Sequence, residues 1–126
     1  MKFKSFRTLS LAGLTLLCGC SQQPEKPFTE VLRQALETAT PGDVSESPAG
    51  TFNVKRSLSL NTDNVTLKGA GMDQSILSFK GQVIGAEGLS VNASNFLIED
   101  LAIEDTIGDA LKVNEGDNIT IRRVRT

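Results

Sequence analysis

The sequence predicts an all-β chain wound as a right-handed parallel β-helix and closed at its N-terminal end by one amphipathic helix. Three observations carry that prediction: a block of about ten residues recurs, apolar residues alternate at period two within each block, and asparagines flank each short turn. Leu58-Ser59-Leu60-Asn61-Thr62-Asp63-Asn64-Val65-Thr66-Leu67 lies over Leu89-Ser90-Val91-Asn92-Ala93-Ser94-Asn95-Phe96-Leu97-Ile98 without a gap. Leu111-Lys112-Val113-Asn114 through Asn118-Ile119-Thr120-Ile121 is a third copy, with one extra residue in its turn. Period two means strands with one buried face, and a recurring block means stacked units. The second and third copies start 22 residues apart, a length that suits one coil of three short strands. The first and second start 31 apart, which places an insertion of about nine residues between Gly69 and Gly88. A meander of antiparallel hairpins would use the same turns, but it does not explain why corner asparagines and inward apolar pairs recur one coil apart.

Taken in order, the chain begins with Lys2, Lys4 and Arg7, then an apolar run from Leu9 to Leu17, then Cys18-Gly19-Cys20. A basic start, a short apolar stretch and small residues at the cut are the parts of a secretory signal. Leu17-Cys18-Gly19-Cys20 resembles the lipobox of bacterial lipoproteins. That resemblance implies removal of residues 1–19 and lipidation of Cys20, which becomes the new first residue. The apolar stretch is too short for a spanning helix, which needs about 20 residues. Residues 20–26 then form a polar tether. Ser21 stands where many Gram-negative lipoproteins that stay at the inner membrane carry aspartate, so the resemblance favours the outer membrane. The membrane is thus an expected partner, reached through the lipid anchor.

The next element is a capping helix over residues 27–40. Phe28, Val31, Leu32, Ala35, Leu36 and Ala39 fall at the one-face spacing of an amphipathic helix, Pro27 suits its first turn, and Pro41-Gly42-Asp43 stops it. So short a helix is not stable alone and must lie on an apolar surface that follows. The coils occupy residues 43–126. Leu60, Leu67, Val91, Phe96, Ile98, Val113 and Ile121 are expected to point inward as stacked rows, with Ser59, Thr66, Ser90, Lys112 and Thr120 pointing out. A third strand of the coil follows at Leu101-Ala102-Ile103 and begins again at Val124. Thr126 falls inside that strand, so the sequence reads as the N-terminal part of a longer solenoid.

The string from Asn95 to Ile103, leading to Gly108-Asp109-Ala110-Leu111-Lys112-Val113, resembles the repeat shared by carbohydrate-binding and sugar-hydrolase β-helices. Asn64-Val65-Thr66-Leu67-Lys68-Gly69-Ala70-Gly71, with Ser75-Ile76-Leu77 beyond it, resembles the first coil of the pectin-lyase-like superfamily. Pro48-Ala49-Gly50-Thr51-Phe52 resembles the segment after its capping helix. The resemblance spans about Phe28 to Thr126 and implies the fold. It does not imply one activity, because that fold hosts lyases, hydrolases, epimerases, adhesins and inert stalks.

Glu99, Asp100, Glu104, Asp105 and Asp109 form an acidic cluster. Carboxylates on a β-helix can bind calcium or serve as an acid–base pair in sugar hydrolysis. By alignment of the copies, Glu99-Asp100 occupy a two-residue corner stacked between Lys68-Gly69 below and Arg122-Arg123 above. Neighbouring coils lie about 4.8 Å apart, which makes the corner a ladder of alternating charge. Exposed pairs of that kind contribute little to stability but help to fix register. Glu99, Asp100, Asp109 and Lys112 are the candidate contacts for carbohydrate or calcium, and Lys112 with Asp109 is the pair that would mimic a β-elimination site. Gly69-Ala70-Gly71 lacks the further glycine and the Lys-Ser or Lys-Thr pair of a phosphate loop and reads as a tight turn. The sequons at Asn64, Asn92 and Asn118 read as by-products of corner asparagines beside Thr or Ser.

Composition narrows the function. There is no histidine, which excludes an imidazole base, a Ser-His-Asp triad and histidine metal ligands from this segment. Trp and Tyr, the usual stacking platforms for sugars, are also absent. Loss of the signal takes thirteen Lys and Arg to ten, against fifteen Asp and Glu, and this acidic balance argues against nucleic acid or anionic lipid headgroups as partners. No disulfide or free thiol remains once Cys18 is removed and Cys20 is lipidated. No cofactor is expected here, with calcium a ligand of the longer protein at most. The expected role is a lipid-anchored cell-envelope protein that binds or processes extracellular polysaccharide. If the longer protein is a polysaccharide lyase, hydrolase or epimerase, its active site lies mostly outside this segment. The alternatives are a structural or adhesin-like surface solenoid and, on a weaker resemblance, a periplasmic copper-delivery β-helix protein. Met72 is the one methionine after Met1.

Overall fold

A computed structural model describes residues 26–126. The expected signal segment, the expected lipidation residue Cys20 and all of the expected tether but Lys26 lie outside the described residues. The described chain runs α1 (Phe28–Glu37), β1 (Val44–Ser47), β2 (Gly50–Asn53), β3 (Arg56–Leu60), β4 (Thr66–Gly69), β5 (Ser75–Ser78), β6 (Ile84–Asn92), β7 (Leu97–Glu104), β8 (Leu111–Glu115) and β9 (Thr120–Arg125). Every strand pairing is parallel, and together they make a β-solenoid of about three turns.

The solenoid has three faces. The first stacks β1, β4, the start of β7 and the start of β9. The second stacks β2, β5, the end of β7 and the end of β9. The third stacks β3, β6 and β8. Leu58 pairs with Leu89 and Leu89 with Leu111, as the overlay of the copies requires. The structure adds a lower rung on two faces, where Val44 pairs with Thr66 and Gly50 with Ser75. That rung is hard to read in sequence, because its inward residues Ser45 and Ser47 are polar. The insertion is divided between a turn at residues 70–74, joining the first face to the second, and the segment from β5 to Leu89, a loop followed by the start of β6 with a register shift against β3.

Corners are made by residues in the left-handed region. Asn64, Asn95 and Asn118 have φ of 62°, 57° and 59°, as the asparagine pattern anticipates. The corner between the first two faces is a single residue in the upper coils, Asp100 at φ 59° and Arg123 at φ 49°, so β7 and β9 each continue through it. Corner amides pair between coils: Asn92 Nδ2 donates to Asn61 Oδ1 at 2.9 Å, and Asn118 Nδ2 to Asn95 Oδ1 at 3.1 Å. Asn114 leaves that ladder. The register shifts after Val91, Asn92 sits opposite Glu115, and Asn114 Nδ2 donates to Ser90 Oγ at 2.9 Å. The extra residue of the third copy is therefore accommodated at the end of the strand.

Five of the seven expected inward residues, Leu60, Leu67, Val91, Phe96 and Ile98, are buried. Val113 and Ile121 hold the expected register over Val91 and Ile98 but are 40% and 52% exposed, because no described rung covers them. Helix α1 closes the other end. Leu32 and Leu36 are buried against the first coil, and Phe28 packs on Phe52 with ring centroids 4.6 Å apart. Val31, expected on the buried face, lies at the edge of the stripe and is 47% exposed. The helix also stops sooner than residue 40. The residue before a proline is disfavoured in the helical region, and Thr40, which precedes Pro41, turns its N–H to Asp43 Oδ2 at 2.9 Å.

Candidate functional site: a charged corner

Outward positions of the first face form a column through four rungs. Glu46 pairs in register with Lys68, Lys68 with Glu99, and Glu99 with Arg122. Such a column follows from period-two alternation, which turns every second residue of each strand to the outside. The charges alternate from rung to rung. The upper three are legible in the aligned copies; Glu46 is not, because the rung that carries it falls outside the overlay.

Beside this column lies the corner itself. Arg122 Nε and Nη2 donate to Glu99 Oε1 at 3.1 and 2.7 Å, and Arg123 Nη2 donates to the same oxygen at 3.3 Å. The Arg123 fork also grips Asp100, with Nη2 to Oδ2 at 3.0 Å. The expectation that these pairs are exposed needs correction at one member. Glu99 is only 7% exposed, since arginines from the rung above fold across it. The Arg123 guanidinium beside Asp100 holds that carboxyl below its ordinary value, with Lys68 and Arg122 adding to the effect. Asp100 correspondingly raises Arg123. Asp100 is thus an ionised acceptor at neutral pH, unsuited to giving up a proton as a general acid.

Gly69 sits under this corner because nothing larger fits. A Cβ there would lie 2.2 Å from the carbonyl oxygen of Asp100 and 2.7 Å from Leu101 Cβ. The following turn at residues 70–74 is tied down at both ends. Gly71 N–H donates to the Asp100 carbonyl at 2.8 Å, and Ser75 Oγ donates to the Ser47 or Pro48 carbonyl at 2.8 or 2.9 Å. Arg125 lies over the same turn, pairing with Glu104, donating from Nη2 to the Met72 carbonyl at 3.1 Å and placing Nε 3.4 Å from Asp73. Asp73, Glu104 and Arg125 are members of the corner that the sequence does not assign to it. The signal that could have found Glu104 and Arg125 is the register itself, which puts Ala102 opposite Arg125 and Ser78 opposite Glu104; Asp73 lies in the turn outside that register.

Below the ion pairs a cleft of about 300 Å³ is lined by Glu46, Ser47, Pro48, Lys68, Gly69 and Ala70. Lys68 is exposed and makes no ion pair within 4 Å among the described residues. The two-residue corner expected at Glu99-Asp100 is a single residue: Asp100 turns at φ 59° while Glu99 stays in the strand ladder between Lys68 and Arg122, so the two carboxylates stand side by side at this corner. Asp109 and Lys112 are not brought to it. Lys112 points outward from the third face with its ammonium 3.9 Å from Glu87, and Asp109 lies in the turn before β8 with its carbonyl accepting the Gly88 N–H at 2.9 Å. Among the described residues Lys112 pairs with Glu87, and no ion pair joins it to Asp109.

Among the described residues no group of three or more His, Cys, Asp or Glu is arranged to hold a metal ion, and no helix is long and apolar enough to cross a membrane. Comparison with family models, with curated proteins and with solved structures finds no match to this chain.

Proposed function

We propose that this chain is a lipid-anchored solenoid of the cell envelope, held at the outer membrane through Cys20, whose charged corner binds polysaccharide. The observation that supports the reading best is the pairing of a cleft with preset charges. A space of about 300 Å³ opens beside the exposed Lys68 ammonium, while Arg123 holds the neighbouring Asp100 carboxyl below its ordinary value. Sugar hydroxyls donate to carboxylates, and an acidic sugar gives the ammonium a counter-charge. Corner groups recur at the coil spacing of about 4.8 Å, a spacing suited to a chain of repeating units. Arg123 suits Asp100 to binding more than to catalysis, since it disfavours the protonated form that a general acid needs.

The test uses the full chain, lipidated and in detergent, against a panel of acidic and neutral polysaccharides. Acidic polymers should be retained, and Lys68→Ala should weaken retention without changing the melting temperature. Equal binding by wild type and variant would remove the corner from the site. A second reading, a structural surface solenoid without a ligand, is favoured by one observation: Arg122, Arg123 and Arg125 are all committed to internal pairs. Absence of retention across the panel would select it. Cys20→Ser should release the protein from the membrane fraction and remove the lipid mass under either reading.

A further inference from the structure

At the capped end, a cleft of about 360 Å³ opens between α1 and the first coil, lined by Pro27 and Arg33 on one side and by Lys55, Arg56 and Leu58 on the other. Its charge is unbalanced. Arg33 lies between Glu30 and Glu37 and pairs with both, so these three groups together carry one negative charge. Lys55 and Arg56 are exposed and make no ion pair among the described residues, and Lys26 stands close by, bonded only to the neutral Gln34 side chain. Lys26 and Arg56 both act on the Glu30 carboxyl, which Arg33 chiefly holds below its ordinary value, so the cations converge on one place. The floor of the cleft is apolar, formed by Val54 and Leu58.

The position of this cleft gives it a partner. Pro27, on its rim, is separated from Cys20 by the six residues Ser21 to Lys26. At no more than about 3.5 Å per residue, six residues reach roughly 20 Å. An anchored Cys20 therefore keeps the capped end of the solenoid within about that distance of the bilayer surface. We infer that the cleft lined by Lys55 and Arg56, with Lys26 beside it, docks on the anionic phospholipid headgroups of the membrane in which Cys20 is anchored. The inference rests on the proposed lipidation. Docking orients the solenoid upright, with its upper rungs, where Arg122 and Arg123 pair with Glu99 and Asp100, standing away from the bilayer. The mildly acidic balance of the whole chain does not oppose this contact, because screening limits each charge to a range of about 10 Å at moderate salt.

The experiment reconstitutes the lipidated full chain into vesicles of phosphatidylcholine alone or with added phosphatidylglycerol. Lysines are then labelled with a membrane-impermeant amine reagent and read by mass spectrometry. Lys26 and Lys55 should be protected in the anionic vesicles only, while Lys112, at the far end of the solenoid, labels equally in both. Each of Lys55 and Arg56 should strengthen docking about fivefold, the factor that corresponds to about 1 kcal/mol per basic residue near an anionic surface. Lys55→Glu with Arg56→Glu should therefore expose Lys26 to the reagent in anionic vesicles, with melting unchanged; Lys112→Glu should leave the protection intact. Equal labelling of Lys55 in the two kinds of vesicle would overturn the inference. Protection of Lys55 by inorganic phosphate on neutral vesicles would replace the membrane with a free anion. Failure of the chain to float with either vesicle would remove the anchor, and this inference with it.

Discussion

Phe96→Ala, set against Ile121→Ala, tests whether the rows of the solenoid carry its stability. Phe96 is 1% exposed and belongs to the continuous core, whereas Ile121 stands in register above Ile98 and is 52% exposed. Deleting a buried phenylalanine costs about 3–5 kcal/mol, and deleting a buried isoleucine about 2–5 kcal/mol. Half of the Ile121 side chain is in water in the folded state already, so roughly half of the transfer term is absent and little cavity forms; about 1 kcal/mol remains. The assay is chemical unfolding of the full chain followed by far-ultraviolet circular dichroism, comparing midpoints at constant slope. Phe96→Ala should lower the midpoint several times further than Ile121→Ala. Equal losses would mean that the upper rung is covered in solution. A loss below about 1 kcal/mol for Phe96→Ala, under the range for a buried aromatic, would refute the inward register.

Other expectations follow from single geometric facts. Gly69→Ala should destabilise by about 1–3 kcal/mol, the range for overpacking, because its Cβ would meet the Asp100 carbonyl at 2.2 Å; a neutral result in the same unfolding assay would contradict the close approach of these coils. Asn95→Ala should cost about 1–2 kcal/mol for a left-handed alanine at φ 57°, while Asn95→Gly should cost measurably less; the reverse order would mean that the amide ladder matters more than the backbone. Acid sensitivity should also carry the mark of Arg123. The Asp100 carboxyl is held below its ordinary value of 3.8 by that arginine, so the stabilisation is complete above the unfolded value and is lost as pH falls through the lower folded value. The stability gap between wild type and Arg123→Gln should thus hold steady near neutral pH and narrow in strong acid, measured by urea midpoints; a gap that stays constant through the acid range would dissociate Asp100 from it.

The repeated coil, the strands of its aligned copies and its asparagine corners are legible in local pattern. Leu58, Leu89 and Leu111 align from periodicity alone, because a one-residue slip turns a strand's apolar set outward. The left-handed corners at Asn64, Asn95 and Asn118 can be read for a related reason, since few residues other than asparagine and glycine adopt that conformation cheaply. The stacking of Glu99 on Lys68 and Arg122 follows from the same alignment. Closure of the coils settles what alignment cannot express. The lower rung on β1 and β2 is held by parallel backbone pairing that does not require apolar side chains, so Ser45 and Ser47 pass as loop residues in sequence. The burial of Glu99 depends on how the Arg122 and Arg123 side chains fold across it, and a strand pattern specifies a direction, not a rotamer. The clamp of Arg125 on Met72 and Asp73 joins residues more than fifty positions apart through an insertion outside the repeat. The pairing of Lys112 with Glu87 arises where the same insertion returns to the third face. Periodicity reports which side of a strand a residue occupies, while distances between long side chains are set only when the coils and their insertions have closed on one another.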